Sequence, residues 1–247
     1  MVTMQSILIN LGKVRESGRA DYDFYDPNQK NVIDTLVKGY KTEKLGDVCL
    51  KVNTGKTAPR DSYPETGVRI IKVKNISGNG IKWHEKSFVS EEFYSKAEKK
   101  AKVQIGDILM LCAAHNKSYI GRADIVDTLP KEVIEDSSKC CCVGELIIIR
   151  ANPEKILPEY LITYLRLSVV QEQIRRMVKG QSAHLYPRDL VGLDVILPPV
   201  DLQQEIAKIN SHAEKSYLTT IRQASAALAE ARARIEDTIL KGKKKSK

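Results

Sequence analysis

The chain has 247 residues, 42% of them hydrophobic and 29% charged, enough for one full hydrophobic core and an added element but hardly for two large domains. A formal charge of +9 favours a polyanionic partner, although the lysine-rich segment 241–247 supplies much of the excess. The chain lacks an apolar run of about 18 residues and an N-terminal secretion signal, which argues against a membrane or secreted protein, so we expect it to be cytoplasmic.

The first part of the chain predicts a mixed α/β (α+β) domain. A weak helical pattern covers residues 29–38, and the turn Ser77–Gly80 predicts a hairpin between Ile76 and Ile81. A helix is expected over residues 158–178, since Pro158 suits its first turn and Gly180 follows its end. Strand-like segments, separated by Gly, Pro, Asn and Asp, cover residues 68–73, 105–111, 120–126, 143–149 and 193–197. Their irregular spacing argues against a doubly wound sheet.

The five cysteines form no C-x-x-C pair. Cys140, Cys141 and Cys142 are consecutive, and consecutive residues of a strand point to opposite faces, which disfavours one shared metal site. We therefore predict reduced, mostly buried thiols and no metal centre.

A long helix is predicted from Leu202 to Leu240. Pro198 and Pro199 precede it, Asp201 and Gln204 have the spacing of a capping box, and Gly242 is expected to end it. Apolar residues recur at helical spacing along it, namely Ile206, Ile209, Ala213, Tyr217, Ile221, Ala224, Leu228, Ala231, Ile235 and Ile239. A helix of this span is roughly 58 Å long, too long to pack throughout on a small domain. We predict that this stripe pairs with a partner helix, and its mean spacing of about 3.6 to 3.7 residues favours a nearly straight helix pair over a tightly supercoiled left-handed zipper. An ordinary amphipathic core helix is the alternative.

These patterns predict three segments. Residues 1–197 are expected to form the α/β domain, residues 198–241 the pairing helix, and residues 242–247 a basic tail.

Motifs for catalysis are incomplete or missing. Residues 53–57 end like a phosphate-binding loop, but Leu50 stands where that loop requires its first glycine. The chain has no G-x-G-x-x-G and no Asn-Pro-Pro-Tyr-like segment of the kind that amino-methyltransferases use to hold the target base. Asp61, Glu98 and Lys100 can be placed in the order of a metal nuclease, but such combinations arise by chance in a highly charged chain. The four histidines are not spaced as metal ligands, and they lie far from any serine or cysteine in the sequence context of a nucleophile. They are His84, His115, His184 and His212.

Four loops, at residues 54–60, 72–75, 115–119 and 179–184, combine cations with amide, hydroxyl or imidazole groups. Each loop alone is also typical of a solvated turn, but their recurrence favours DNA binding. Lys and Arg bind phosphates, whereas Asn, Gln, Ser and His can hydrogen-bond to base edges. The predicted phosphate contacts are Lys56, Arg60, Lys72, Lys74, Lys117 and Arg122, and the predicted base readers are Asn75, Asn116, Tyr119, Gln181, Ser182 and His184. Thr57 is a further predicted DNA contact.

Several short segments resemble those of a known family. Residues 19–27 resemble the opening of its target recognition domain, residues 45–48 and 54–57 its first strand and loop, and residues 106–110 and 120–122 its central strands. Leu197–Val200, with Gln203 and Ile206, resembles the entry into its long helix, although Leu202 stands where many members carry glutamate. The chain therefore resembles the specificity subunit of a type I restriction-modification system.

The resemblance implies a non-catalytic subunit that reads an interrupted, bipartite sequence in double-stranded DNA. It also implies docking of methyltransferase (M) subunits, which would bind the S-adenosylmethionine, and of a restriction (R) subunit in the full complex. Usual members carry two recognition domains and two long helices, whereas this chain has one of each. It thus resembles a half subunit that forms a homodimer or pairs with another half.

Two alternatives stay open at this level. A stand-alone nuclease, or the recognition end of a fused methyltransferase, would show activity in the isolated chain. A coiled-coil adaptor would show absent or salt-insensitive DNA binding.

Overall fold

The computed structural model describes residues 11–12, 15, 39–60, 62–97, 101–114, 116–131, 133, 139–180 and 183–245. The chain divides into two units, Met1–Gln204 and Glu205–Lys247. The segments predicted at 19–27 and 29–38 lie outside the described residues. So do Asp61, Glu98, Lys100, His115, Gln181 and Ser182.

Among the described residues of the first unit, the strands are β1 (Lys41–Lys44), β2 (Cys49–Thr54), β3 (Val68–Ile71), β4 (Phe88–Val89), β5 (Asp107–Leu111), β6 (Ala123–Ile125), β7 (Cys140–Cys142), β8 (Leu146–Ala151) and β9 (Asp194–Leu197). The same residues include the α-helices α1 (Leu45–Val48), α2 (Glu91–Lys96), α3 (Pro158–Arg166), α4 (Ser168–Met177) and α5 (Pro187–Leu190). The helix α6 (Val200–Lys245) begins in this unit and continues into the second.

The described strands form three small sheets. The largest is antiparallel with the order β2-β8-β5-β6; a second has the order β4-β3-β7, and β1 pairs with β9. Within the second sheet β3 runs parallel to β7 and antiparallel to β4. The fold is therefore the predicted mixture of sheet and helix followed by a long helix.

The core lies around the central strands. β5 is buried along its whole length, and in β8 only Arg150 is not fully buried, as expected for apolar runs covered on both faces. The apolar side chains of β3 and the three cysteines of β7 belong to one hydrophobic cluster with Leu109 and Leu111 of β5 and Leu146 and Ile148 of β8. The loops at the ends of these strands therefore start from a buried, packed core.

All five cysteines are free thiols, and only Cys49 is not buried. Burial raises the pKa of the Cys112 and Cys141 thiols to about 12, and it also raises the pKa of the Cys142 thiol well above its usual value. The prediction that the thiols are mostly buried is confirmed.

Several local predictions need correction. Residues 45–48, expected at the first strand, form a turn of helix, and the strand follows at Cys49. The helix predicted at 158–178 is interrupted at Leu167, whose ψ of 137° takes the chain out of helical geometry. The segment after Ile71 turns into a 3-10 helix over Val73–Asn75 instead of continuing the strand. The hairpin is confirmed by the antiparallel bridge between Ile76 and Ile81.

The predicted long helix is present and has 46 residues. It begins at Val200, so Asp201 lies inside the first turn and cannot be the N-cap that the capping box requires. It also runs through Gly242, which was expected to end it; a single glycine costs only about 1 kcal/mol in a helix. None of the helices in the described ranges is both long and apolar enough to cross a membrane.

The start of α6 is held by the buried side chain of Gln203. Its side-chain amide donates to the carbonyl of Pro198 (2.9 Å), and its oxygen accepts from the amide N–H of Leu157 (3.0 Å). In the second unit, by contrast, apolar side chains of the predicted stripe are exposed. They include Ile209, Tyr217, Ile221, Leu228, Ile235 and Ile239.

Candidate nucleic-acid interface

The predicted loops meet at one end of the sheets because of the strand directions. The pairs Thr54 with Ile147 and Leu111 with Leu146 place the ends of β2 and β5 beside the start of β8. The parallel pairing of β3 and β7 places their ends together, at Ile71 and Cys142. We call this end the loop face. It comprises the described residues within 55–60, 72–80, 112–122, 143–145 and 179–188.

The loop after β2 is attached closely to the turn between β7 and β8. The Gly55 amide donates to Leu146 (3.0 Å), and a Cβ at Gly55 would lie 2.2 Å from the carbonyl oxygen of Cys142, so only glycine fits. The Thr57 hydroxyl accepts from the amide of Gly144 (2.8 Å) and donates to Glu145 Oε2 (2.8 Å). Thr57 therefore positions this turn, while its neighbour Lys56 is exposed.

The loop after β3 changes the assignment of one predicted reader. Asn75 is buried; its oxygen accepts from the amide of Lys72, and its NH2 group donates to the carbonyls of Lys82 and Glu85, each at 2.8 Å. Because the fold uses both ends of this amide, Asn75 is not available to a base edge. Lys74 Nζ is paired with Glu85 Oε2 at 2.8 Å, which partly neutralises its charge.

Lys72 lies over the ring of Tyr63, with its Nζ 3.3 Å from the ring centroid. Burial lowers the pKa of Lys72, and repulsion from Lys74 adds to the effect. Tyr63 was missed by the sequence analysis.

A buried carboxylate holds the hairpin turn against the sheet. Asp124 accepts hydrogen bonds from the amides of Ser77 (2.7 Å), Gly78 (3.0 Å) and Gly80 (2.8 Å). Arg166 Nη2 donates to the same carboxylate at 2.7 Å. An aspartate within a short buried strand was the only sequence signal for this anchor.

The loop between β5 and β6 presents a polar and aromatic surface. Asn116 Oδ1 accepts from the amide and hydroxyl of Ser118, and so caps the 3-10 turn Lys117–Tyr119. Asn116, Lys117 and Tyr119 are exposed. The guanidinium of Arg122 lies 4.4 Å from the centroid of the Tyr119 ring, which restricts both side chains.

The described residues of segment 179–188, which are 179–180 and 183–188, lie beside this loop. The Leu185 amide donates to the carbonyl of Cys112 (2.9 Å), and His184 is bridged to Ala113. His184 stacks on Tyr186 with ring centroids 6.0 Å apart, and the guanidinium of Arg188 lies 5.0 Å from the Tyr186 centroid. Tyr186 and Arg188 were not predicted from the sequence. The signal that could have identified them is that His184, Tyr186 and Arg188 occupy every second position.

Most cations of the loop face form no ion pair with a described carboxylate; the exceptions are Lys74, which pairs with Glu85, and Lys179, which pairs with Asp189 (2.9 Å). Within the part of the chain that the structure describes, Lys56, Arg60, Lys117 and Arg122 form no ion pair with a carboxylate. No group of His, Cys, Asp or Glu among the described residues is arranged to hold a metal ion. The loop face thus combines cations, aromatic rings and hydrogen-bonding groups, the composition of a nucleic-acid interface.

Residues 37–228 match the family described as type I restriction modification DNA specificity domain. The chain belongs to this family. Specificity subunits are non-catalytic components of restriction-modification systems, and DNA recognition is their general role. The prediction of a non-catalytic chain therefore agrees with the family.

Two curated relatives come from Methanocaldococcus jannaschii. The chain is 25% identical over 186 residues to the putative type I restriction enzyme MjaX specificity subunit, covering 74% of the chain and 41% of that protein. It is 24% identical over 181 residues to the type I restriction enzyme MjaVIII specificity subunit, covering 73% and 40%. The chain thus spans about two fifths of the length of these relatives.

A solved structure has a similar fold. It is described as "Structural basis underlying complex assembly and conformational transition of the type I R-M system", with a TM-score of 0.51 and 21% identity. The similarity covers 92% of this chain and 52% of the other. At this identity it supports the fold alone.

Proposed function

We propose that this chain reads a specific sequence in double-stranded DNA through the loop face, as a specificity subunit of a type I restriction-modification complex. The convergence of separate basic and polar loops at one end of the sheets carries the proposal. It brings the loop after β2, the loop after β3, the β5–β6 loop and the described residues of 179–188 to one surface, as a groove-reading protein requires.

The proposed DNA contacts fall into two groups, those to phosphates and those to bases. Lys56, Arg60, Lys72, Lys117 and Arg122 would position the duplex by binding phosphates, with a smaller contribution from the paired Lys74. Asn116, Tyr119 and His184 would face base edges, since they lie beside these cations and carry hydrogen-bonding groups. Gln181 and Ser182, which lie outside the described residues, stay proposed readers.

Residues 1–197 would form the recognition domain, and residues 198–241 would pair with another helix and dock M subunits; residues 242–247 would add a basic tail. The exposed apolar stripe in the second unit supports pairing, because isolated apolar surface of this extent in water is unfavourable. A second copy, or another half subunit, would supply the matching helix. Two recognition domains would then read a bipartite target.

The proposal is tested with the chain assembled with its M subunits. Lys117→Ala should weaken binding to all DNA sequences about equally. In a plot of the logarithm of the binding constant against the logarithm of the salt concentration, it should make the slope shallower by about one unit. Lys155→Ala is the control, because this exposed lysine follows the other end of β8, away from the loop face. Equal behaviour of the two variants would place the DNA surface elsewhere.

A further inference from the structure

Glu145 is an acidic residue in the middle of the basic loop face. It lies in the turn between β7 and β8, and its backbone oxygen accepts from the amide of Cys112 (2.9 Å). Thr57 contacts its carboxylate from the loop after β2. Glu145 is therefore fixed where two of the proposed DNA-binding loops meet.

The hydrogen bonds show which side chain orients the other. The Thr57 oxygen accepts from the amide of Gly144, so its single O–H is directed to Glu145 Oε2. The carboxylate is only partly buried, and its Oε1 accepts no hydrogen bond from the described residues. The fold thus holds one carboxylate oxygen and leaves the other to a ligand.

A carboxylate at this place weakens the attraction of the surface for phosphates. Glu145 also attracts Lys72, whose cation would otherwise act on the DNA backbone alone. A surface that bound only the DNA backbone would bind more tightly without the negative charge of Glu145. A carboxylate accepts hydrogen bonds and cannot donate them, so its partner on DNA must be an amino group.

Guanine N2 lies in the minor groove, which is only about half as wide as the major groove, and the exocyclic amino groups of the more accessible major groove belong to cytosine N4 and adenine N6. Adenine places its N7 acceptor beside N6, and this lone pair would repel a carboxylate. Cytosine presents the amino group without that acceptor, and Glu or Asp accepting from cytosine N4 is the expected pairing.

We propose that Glu145 is a base-reading residue that accepts a hydrogen bond from cytosine N4, and that Thr57 is its positioning residue. This rests on the proposed DNA-binding function of the loop face. Glu145 would determine the base at one position of the target sequence, while the surrounding cations would determine the overall affinity for DNA.

The test uses the chain assembled with its M subunits, a duplex carrying its methylation motif, and every single-base-pair change in that motif. Glu145→Gln keeps the shape and an oxygen for Thr57 but removes the charge. It should weaken binding to the target roughly 5- to 150-fold and relax one position at which the wild type requires cytosine. The same variant should bind unrelated DNA more tightly, because a repulsive charge is gone.

The matched control is Glu154→Gln, which makes the same charge change just after the other end of β8 and should alter neither measurement. Thr57→Val should relax the same cytosine position to a smaller degree, and Thr57→Ser, which restores the hydroxyl, should recover it. If Glu145→Gln fails to fold, the two Thr57 variants still test the same cytosine position.

A melting temperature lowered by Glu145→Gln with an unchanged pattern of base preference would overturn the inference and leave a structural role. Relaxation at a position that requires adenine would overturn the choice of cytosine. If the wild-type complex shows no base preference at any position, the proposed function itself fails, which is distinguishable from either result.

Discussion

Asp107 and Arg150 face each other across β5 and β8 and form a two-point ion pair. Arg150 Nε lies 2.7 Å from Oδ1 and Nη2 lies 2.8 Å from Oδ2, and Asp107 is fully buried. The hydrogen bond to Asp107 raises the pKa of Arg150. Asp107 also accepts from the amide of Gln104 (2.9 Å), so it fixes the turn into the central strand.

Asp107→Ala should lower the free energy of unfolding by about 3–5 kcal/mol, because it leaves the Arg150 charge without its partner in a largely buried site. Asp47→Ala, at an exposed position, should change it by less than about 0.5 kcal/mol. Urea denaturation measures both. Equal stability of the two variants would show that the pair contributes nothing to folding.

Gly55→Ala should destabilise the chain by about 1–3 kcal/mol, because the new Cβ meets the backbone of Cys142. It should also weaken DNA binding, since Lys56 and Thr57 follow directly. Gly192→Ala is the control, as its Cβ would make ordinary contact, 3.4 Å from the carbonyl of Asp189. Thermal denaturation and DNA titration of both variants provide the comparison, and a fully stable Gly55→Ala variant would show that the two loops are not closely packed.

Cys112 and Cys141 should resist alkylation by iodoacetamide at pH 8 in the native chain. Burial raises the pKa of both thiols to about 12, so at pH 8 they are protonated, and the thiolate is the reactive form. In denaturant all five cysteines should react. Peptide mass spectrometry identifies the labelled positions. Rapid native labelling of Cys141 would contradict the buried position of β7.

Ile221→Asp with Leu228→Asp should abolish helix pairing, because it introduces charges into the exposed apolar stripe. The control pair is Thr219→Asp with Ala226→Asp, which has the same charge and spacing but lies on nearly the opposite side of the helix at about 100° per residue. Light scattering should find a dimer for the wild type and the control, and a monomer for the stripe variant. A wild-type monomer within the assembled complex would contradict the homodimer.

The long helix could be predicted from sequence because its apolar periodicity is local and extends over many turns. The buried strands β5 and β8 were also recognisable as apolar runs. The short strands β4 and β7 were not, since two or three residues carry too little pattern. Their position depends on pairing with β3, which is distant in the chain.

The basic loops could likewise be found from composition, but the role of each residue could not. Asn75 and Asn116 have the same chemistry in sequence, yet one is buried and hydrogen-bonded within the fold and the other is exposed. Glu145 was overlooked because a search for basic loops passes over acids. Its position depends on Thr57, which is far away in the chain.

Methylome sequencing of a host that carries the M subunits, with and without this chain, tests the central claim most directly. We expect methylation at one interrupted sequence only when the chain is present, and a palindromic motif if two identical copies pair. The motif should disappear or lose a specified position when the loop face is altered at Asn116 or His184. Methylation that does not depend on the chain, or a motif unaffected by every loop-face substitution, would contradict the account.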